Sequence, residues 1–193
     1  MPARVLLTLR RAARLAASLA LLVGCGPPQI VFNGTVTGTV KGKPFNPWVV
    51  LSSRENGTIT ITTTSSACSD YAAALEQGSS LALEMFAMDC SGNGSSATCQ
   101  SAVAPGTYTV SNNLTTAHLA SGFLSATDAS CHDPTRAMAN AGTITLTRAS
   151  PRHGDPGYAG TFDLRFDNGD HLTGSFDATE CSAFAQSHAT TCY

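Results

Sequence analysis

Residues 160–181, GTFDLRFDNGDHLTGSFDATEC, contain the strongest fold signal in the chain. Phenylalanine and leucine alternate with charged or hydroxylated residues on both sides of the Asp-Asn-Gly sequence at 167–169. Such alternation is the pattern of a strand with one buried face, and a turn sequence between two of these strands is typical of a β-hairpin. The stretch therefore predicts two antiparallel strands with an apolar face toward the core and a polar face toward solvent.

The side-chain pattern also selects one register for this hairpin. A two-residue turn would pair Phe166 with His171 and mix the apolar and polar faces. A three-residue loop, with Gly169 in the left-handed conformation, keeps the faces apart because it pairs Leu164 with Leu172. The other two phenylalanines then lie opposite glycines, so we predict that each ring covers a glycine of the neighbouring strand.

Shorter runs extend the strand pattern through the rest of the chain. Strands are predicted at 35–40, 44–53, 58–64, 80–88, 107–111, 118–126 and 143–148. One short helix is predicted at 71–77, with Ser69 as its N-cap, Asp70 in its first turn and Gly78 at its C-terminus. Together these elements predict an all-β fold, an antiparallel β-sandwich or flattened barrel of about 8-10 strands with one short helix.

The composition agrees with many short strands joined by turns. Serine and threonine supply 44 of the 193 residues, and glycine supplies another 17. Charged residues make up 12% of the chain, and the formal net charge is −2. The low and balanced charge argues against nucleic-acid binding, and the composition argues against a helical bundle or a coiled coil.

The first 25 residues have the pattern of a secretory leader. Four arginines precede a short apolar run at 15–23, and Leu-Val-Gly-Cys follows at 22–25. The run is too short to cross a bilayer, which takes about 20 helical residues, and is typical of a signal peptide. The tetrapeptide resembles the lipobox of bacterial lipoproteins, in which the cysteine is acylated and the leader is removed before it. An ordinary secretory signal with an incidental cysteine is the alternative.

This resemblance implies acylation of Cys25 and three segments: a signal peptide at 1–24, a lipid-anchored tether at 25–29 and a single β-sandwich domain at 30–193. The mature chain then has seven basic and thirteen acidic side chains. We expect it in the bacterial cell envelope, attached to the membrane through its N-terminal lipid anchor. Gly26 stands where aspartate often signals inner-membrane retention in the Gram-negative lipoproteins that it resembles, so the outer membrane is expected.

Six cysteines remain once Cys25 is assigned to lipid. An even number in an oxidising compartment predicts three disulfides, for which six cysteines allow fifteen pairings. Spacing favours two of the pairs, and elimination leaves the third. The predicted pairs are Cys90 with Cys99, Cys181 with Cys192, and Cys68 with Cys131. Zinc binding is the rival use of these thiolates, but no C-x-x-C or H-x-x-x-H sequence occurs, so we expect no metal.

Two further stretches carry a looser resemblance to a known group. PGTYTV at 105–110 and GTITLT at 142–147, together with the hairpin, resemble uncharacterised Gram-negative secreted lipoproteins. That group shares a Pro-Gly-Thr-Tyr turn into a strand and a final hairpin that ends in Ser-Phe-Asp-Ala before a cysteine. The resemblance implies a β-sandwich in the cell envelope, and it assigns no catalytic residue and no cofactor.

No sequence motif assigns catalysis. The chain has no G-x-S-x-G, H-E-x-x-H, P-loop or G-x-G-x-x-G sequence. Asp167, Asn168 and Asp170, with Asp155, offer oxygen ligands for Ca²⁺, but their spacing is not that of an EF-hand loop. Asp and Asn are also common in turns because their side chains cap local amides, which is the favoured interpretation here.

Two classes of function remain. The favoured hypothesis is a non-catalytic envelope lipoprotein with a structural or binding role toward an envelope protein or glycan. The alternative is a secreted hydrolase with a loop-built active site that uses Asp163, His171 and a serine. Bonding of all three in a pocket would favour the hydrolase, whereas a polar sheet face there would favour binding. Trp48, the single tryptophan, lies beside Pro44, Phe45 and Pro47 and is the best candidate for an exposed recognition aromatic. The core is the favoured position, since a lone tryptophan in a sandwich is usually buried, so no site is assigned to it.

Overall fold

The computed structural model describes residues 32–53, 57–63, 80–92, 97–111, 116–127, 135–149 and 157–181. Every regular element within these ranges is a strand, so the predicted all-β class is confirmed. The strands are β1 (Gly34–Val40), β2 (Lys43–Pro44), β3 (Val49–Ser53), β4 (Thr58–Thr62), β5 (Ser80–Ser91), β6 (Thr98–Ser101), β7 (Gly106–Val110), β8 (His118–Thr127), β9 (Thr135–Arg148), β10 (Ala159–Phe166), β11 (His171–Asp177) and β12 (Thr179–Glu180). The helix predicted at 71–77 lies outside the described residues. Among the residues described, no helix has the length and apolar character needed to cross a membrane.

All twelve strands belong to one curled sheet. Their order is β12-β3-β4-β5-β8-β7-β9-β10-β11-β1-β2, with β6 paired to β5 and an additional pairing between β8 and β9. Most neighbours are antiparallel, but β12 runs parallel to β3 and β7 runs parallel to β8. The predicted antiparallel sandwich is therefore not confirmed, because these strands form a mixed sheet that curls into a half-barrel.

The chain from β11 to β12 brings the two ends of the strand order together. β11 pairs with β10 and β1, and only Ala178 separates β11 from β12, which pairs with β3. Ala178 is buried, and its N–H donates to the carbonyl oxygen of Tyr158 at 2.7 Å. A sheet connected over so short a step has to curl, and the hydrophobic core fills its inner side. The core includes Ile61, Leu83, Leu124, Ile144 and Leu164.

The 160–181 hairpin forms in the predicted register. β10 and β11 pair Leu164 with Leu172 and place Phe162 opposite Gly174. The loop has three residues, and Gly169 takes a φ of 89° as expected for the left-handed position. A Cβ atom at residue 174 would lie 2.9 Å from the ring of Phe162, so the ring covers that glycine. Local alternation and turn chemistry therefore suffice for this hairpin.

Three strand predictions need correction. The run predicted at 44–53 is divided into β2 and β3; β2 pairs with β1 across a tight turn in which Lys41 and Gly42 both have positive φ. β9 starts at Thr135 rather than at 143, because its first half alternates alanine with larger residues and shows little contrast. The segment treated as a loop between Cys90 and Gly106 contains β6, which pairs with β5.

β3 and β4 are buried on both faces. Every residue of the two strands is buried. Val50, Ile59 and Ile61 belong to the hydrophobic core, whereas Leu51 and Thr60, paired with each other, lie on the opposite face. This part of the sheet therefore offers no free surface to a partner.

Candidate functional site

Five neighbouring strands carry two rows of polar residues, nine of them hydroxylated and one acidic, on the face opposite the core. The strands are β1, β11, β10, β9 and β7. The first row is Thr35, Ser175, Thr161, Thr145 and Thr107, and the second is Thr37, Thr173, Asp163, Thr143 and Thr109. We call these ten residues the threonine face. Each of them is exposed or partly exposed, so the surface is accessible along its whole length.

Threonine suits this position for two physical reasons. Its β-branched side chain favours the extended backbone, and its hydroxyl group tolerates water. Alternation along each strand sends the intervening residues, such as Ile144 and Phe162, into the core. The strands lie roughly 4.8 Å apart, and residues i and i+2 are separated by roughly 6.7 Å along a strand. The sheet thus sets a regular spacing for the hydroxyl groups.

Some of these hydroxyl groups bond to each other and others are available. Thr35 Oγ1 and Ser175 Oγ are 3.0 Å apart, and the Oγ1 atoms of Thr107 and Thr145 are 3.2 Å apart. Elsewhere on the face, no group within the described ranges bonds to the hydroxyl of Thr161. The paired hydroxyls fix side-chain rotamers at the two ends of the first row, and the middle of the row remains free to bond a ligand.

Asp163 and His171 form a hydrogen-bonded pair on this face. His171 Nε2 lies 2.8 Å from Asp163 Oδ1, and both side chains are about half exposed. Asp163 pairs across the sheet with Thr173 and Thr143, and His171 pairs with Thr39 and Arg165. In the part of the chain that the structure describes, no serine hydroxyl bonds to either residue. The pair therefore lies on a polar sheet surface, without the nucleophile that the hydrolase hypothesis needs.

The acidic turn at 167–170 uses its carboxylates to fasten the backbone. Asp170 accepts the N–H of Lys41 at 3.1 Å and the side-chain amide of Asn168 at 2.8 Å. Asp167 accepts the N–H of Met138 at 3.1 Å. No group of three or more His, Cys, Asp or Glu residues suited to a metal occurs in the described ranges, and Asp155 lies outside them. The capping interpretation accounts for these acids.

A strap formed by residues 98–105 closes one end of the core. It begins with β6, and the Cys90–Cys99 disulfide attaches it to β5, as predicted. Beyond β6, the N–H of Ala102 donates to Ala87 O at 2.9 Å. The Ala102 carbonyl in turn accepts the hydroxyl of the buried Tyr158 at 3.1 Å. The strap therefore supplies partners to polar groups that would otherwise be buried without any.

Asp89, His118 and Tyr108 form a second polar cluster under this strap. Asp89 accepts the N–H of Val103 at 3.2 Å and lies 3.0 Å from His118 Nδ1. The ring of His118 meets the ring of Tyr108 edge to face, and the Tyr108 hydroxyl donates to Ala104 O at 2.9 Å. Burial, together with the nearby charge of Asp89, raises the pKa of Tyr108 to about 12. The cluster holds the strap to β5, β7 and β8.

Replacing Tyr108 with phenylalanine is expected to change how stability depends on pH. The raised pKa means that the unfolded chain releases this proton near pH 10 and the folded chain only near pH 12. The stabilisation is complete below pH 10 and is lost as the pH rises toward 12. In Tyr108→Phe the free energy of unfolding should therefore decline less between pH 10 and pH 12 than in the native protein. At pH 7 the variant should be less stable by about 1 kcal/mol, because it lacks the hydrogen bond of the hydroxyl group. Urea unfolding at pH 7, 10 and 11 measures both effects, and an unchanged decline in the variant would contradict the assignment.

The remaining sequence predictions have mixed outcomes. Cys181 is buried and disulfide-bonded. Its predicted partner Cys192 lies outside the described residues, as do the predicted pair Cys68 with Cys131 and the lipidation site Cys25.

The expectation that Trp48 is buried is wrong, because this residue is 64% exposed. Trp48 precedes β3 and is held through its backbone, with its N–H donating to Thr62 O and its carbonyl accepting from Phe32. Phe45 takes the buried aromatic position in this segment.

No family model, curated protein or solved structure matches this chain. The threonine face is therefore interpreted from its geometry. Sequence reasoning missed it, although its signal is visible as T-x-T at 35–37, 107–109 and 143–145. A single T-x-T repeat does not show that the strand registers align the threonines of neighbouring strands into rows.

Proposed function

We propose that this chain is a lipid-anchored protein of the bacterial cell envelope, at the outer membrane, that binds a partner through the threonine face and performs no catalysis. The observation that carries the proposal is the pair of exposed hydroxyl rows across five adjoining strands. The backbone hydrogen bonds of these strands hold the rows in place, so little ordering is needed when a ligand binds. A rigid and accessible polar face is suited to recognition.

The lipid anchor and the threonine face lie close together along the chain. Gly34, the first residue of β1, follows Cys25 by nine residues. A fully extended segment of that length spans at most about 30 Å. An acylated Cys25 would therefore hold the face near the membrane, within reach of envelope components.

The hydrolase alternative has less support. It needs a nucleophile beside Asp163 and His171, and within the described ranges the side chains of these two residues bond only to each other. Their nearest cross-strand neighbours are threonine and arginine. The same two residues fit a polar binding surface without any further group.

Intact-mass measurement of the protein extracted from membranes tests the anchor. We expect the mass of residues 25–193 plus acyl chains, with the acyl mass lost in Cys25→Ser. In the lipobox hypothesis the acyl chains are attached only at Cys25. The variant is therefore also expected to leave the membrane fraction. A native mass without acyl chains would overturn this part of the proposal.

Site-specific photo-crosslinking in cells tests the binding face. A photoreactive amino acid at position 145, near the C-terminal end of β9, is expected to form an adduct with an envelope component. The matched control is the same amino acid at position 98, because Thr98 is exposed on β6 and lies away from the face. Adding Thr161→Lys should reduce the adduct at 145 by about tenfold through steric and charge conflict. Equal adduct yields at 145 and 98 would overturn the proposed binding role.

A further inference from the structure

Between the two rows of the threonine face, a strip of sheet without outward side chains crosses all five strands, and we call this strip the trough. Its floor is the backbone of inward-pointing residues that pair across the sheet: Val36, Gly174, Phe162, Ile144 and Tyr108. The rows are roughly 6.7 Å apart, which is about the width of one sugar ring. One extended polymer chain fits between the rows.

The charge of the face favours an uncharged ligand. Asp163 is the single charged member of the ten residues, and its carboxylate is already bonded to His171. Arg165 lies opposite His171, to which Asp163 is bonded. A positive and a negative side chain are therefore close together at one margin of the face. The other nine residues carry hydroxyl groups, which both donate and accept hydrogen bonds. This chemistry is complementary to a neutral polymer that is itself rich in hydroxyl groups.

The spacing along each row favours a polysaccharide with β-1,4 linkages. Successive hydroxyls of a row come from neighbouring strands and are roughly 4.8 Å apart. That distance is close to the length of one residue in an extended β-1,4-linked chain. A chain laid along the trough would bring each sugar to one polar side chain of each row, which is a hydroxyl at every position but Asp163, and threonine methyl groups would meet the apolar faces of the rings.

The curl of the sheet favours a single chain over a planar lattice. The core occupies the concave side of the half-barrel, so the threonine face is on the convex side. A rigid plane such as an ice surface would touch only the strands at the crest. A single polysaccharide chain can turn slightly at each glycosidic bond, so it can follow the curve and contact every strand. We propose, building on the proposed function, that the threonine face binds a neutral β-1,4-linked polysaccharide lying across β1, β11, β10, β9 and β7.

Isothermal titration with a β-1,4-linked glucose hexasaccharide tests this proposal on the full-length protein in detergent. We expect the hexasaccharide to bind at least about tenfold more tightly than the disaccharide, because only the longer ligand spans the five strands. The variant Thr37→Val/Thr143→Val/Thr161→Val retains the side-chain shape and removes three hydroxyl groups. Its affinity for the hexasaccharide should be at least about tenfold lower than that of the native protein. Thr98→Val is the matched control and should bind normally.

Each outcome has a defined meaning. Equal binding by the triple variant and the native protein would overturn the site, and circular dichroism shows whether the variant is folded. The conservative change Thr161→Ser should retain binding. A lack of hexasaccharide binding, together with a protein adduct at position 145 in cells, would overturn the polysaccharide inference and leave the binding function standing. Inhibition of ice growth without sugar binding would also overturn it, in favour of a planar lattice.

Discussion

Replacing Gly142 with alanine is expected to lower the free energy of unfolding by about 3 kcal/mol or more. Gly142 lies in the middle of β9, opposite Leu164 of β10, and has a φ of 127°. L-amino acids rarely adopt this backbone conformation, so alanine is strained there. Its Cβ atom would also overlap the carbonyl oxygen of Asp163. Because the overlapping atoms are backbone, relief requires β9 and β10 to move apart.

Gly169→Ala is the matched control for this prediction. Gly169 also has a positive φ, of 89°, but no atom lies within 4 Å of the Cβ that alanine would add. The control therefore carries the conformational cost alone, about 1 kcal/mol. Urea unfolding followed by circular dichroism gives both values. Equal losses in the two variants would show that β9 does not approach β10 as closely as the structure requires.

The same substitution affects the proposed ligand site. Thr143 and Asp163, which belong to the second row of the threonine face, flank the position where β9 and β10 would separate. A wider gap there changes the spacing of hydroxyls that the sheet otherwise fixes. In Gly142→Ala, hexasaccharide affinity should therefore fall together with stability, whereas Gly169→Ala should leave affinity unchanged.

Sequence analysis succeeded where local pattern decides the structure. The 160–181 hairpin has strong alternation and a turn with an obvious left-handed glycine, so its register followed from which pairing keeps the faces apart. The Cys90–Cys99 pair was predicted from spacing for the same reason, because a short connection brings the two cysteines together without any long-range information. Local sequence contains all that these features need.

Features that depend on distant pairing were missed. β12 has two residues and joins β3 in parallel, and no alternation can appear in so short a strand. β6 is polar and mostly exposed, so its sequence lacks the signal of a half-buried strand. The threonine face belongs to the same class. Each T-x-T repeat is visible, but the rows exist only because four strand pairs place those repeats side by side.

Removing the Cys90–Cys99 disulfide is expected to lower the free energy of unfolding by about 3 kcal/mol. The bond closes a short segment, since the two cysteines are separated by 9 positions. Its loss enlarges the set of conformations open to the unfolded chain and also frees the strap to leave β5. Cys90→Ser/Cys99→Ser is the appropriate variant, because a reducing agent would also act on the disulfide of Cys181.

Hydrogen exchange can separate the local effect of this variant from the global one. The N–H groups of Ala102 and Val103 bond to Ala87 O and Asp89 Oδ2, and both bonds depend on the strap. Exchange at these two amides should accelerate beyond the change that the global loss of stability produces. Exchange at Leu164, in the middle of β10, should change only by the global amount. Uniform acceleration at all three would contradict a strap that opens independently.

The strap and the threonine face should also be separable in function. β6 pairs with β5, which contributes no residue to the face, and the strap lies over the end of the core near Tyr108 and Tyr158. The disulfide variant should therefore lose stability and retain its affinity for the hexasaccharide at temperatures where it is folded. If it loses both, strand positions in the face depend on closure of the core, and the two regions form one cooperative unit.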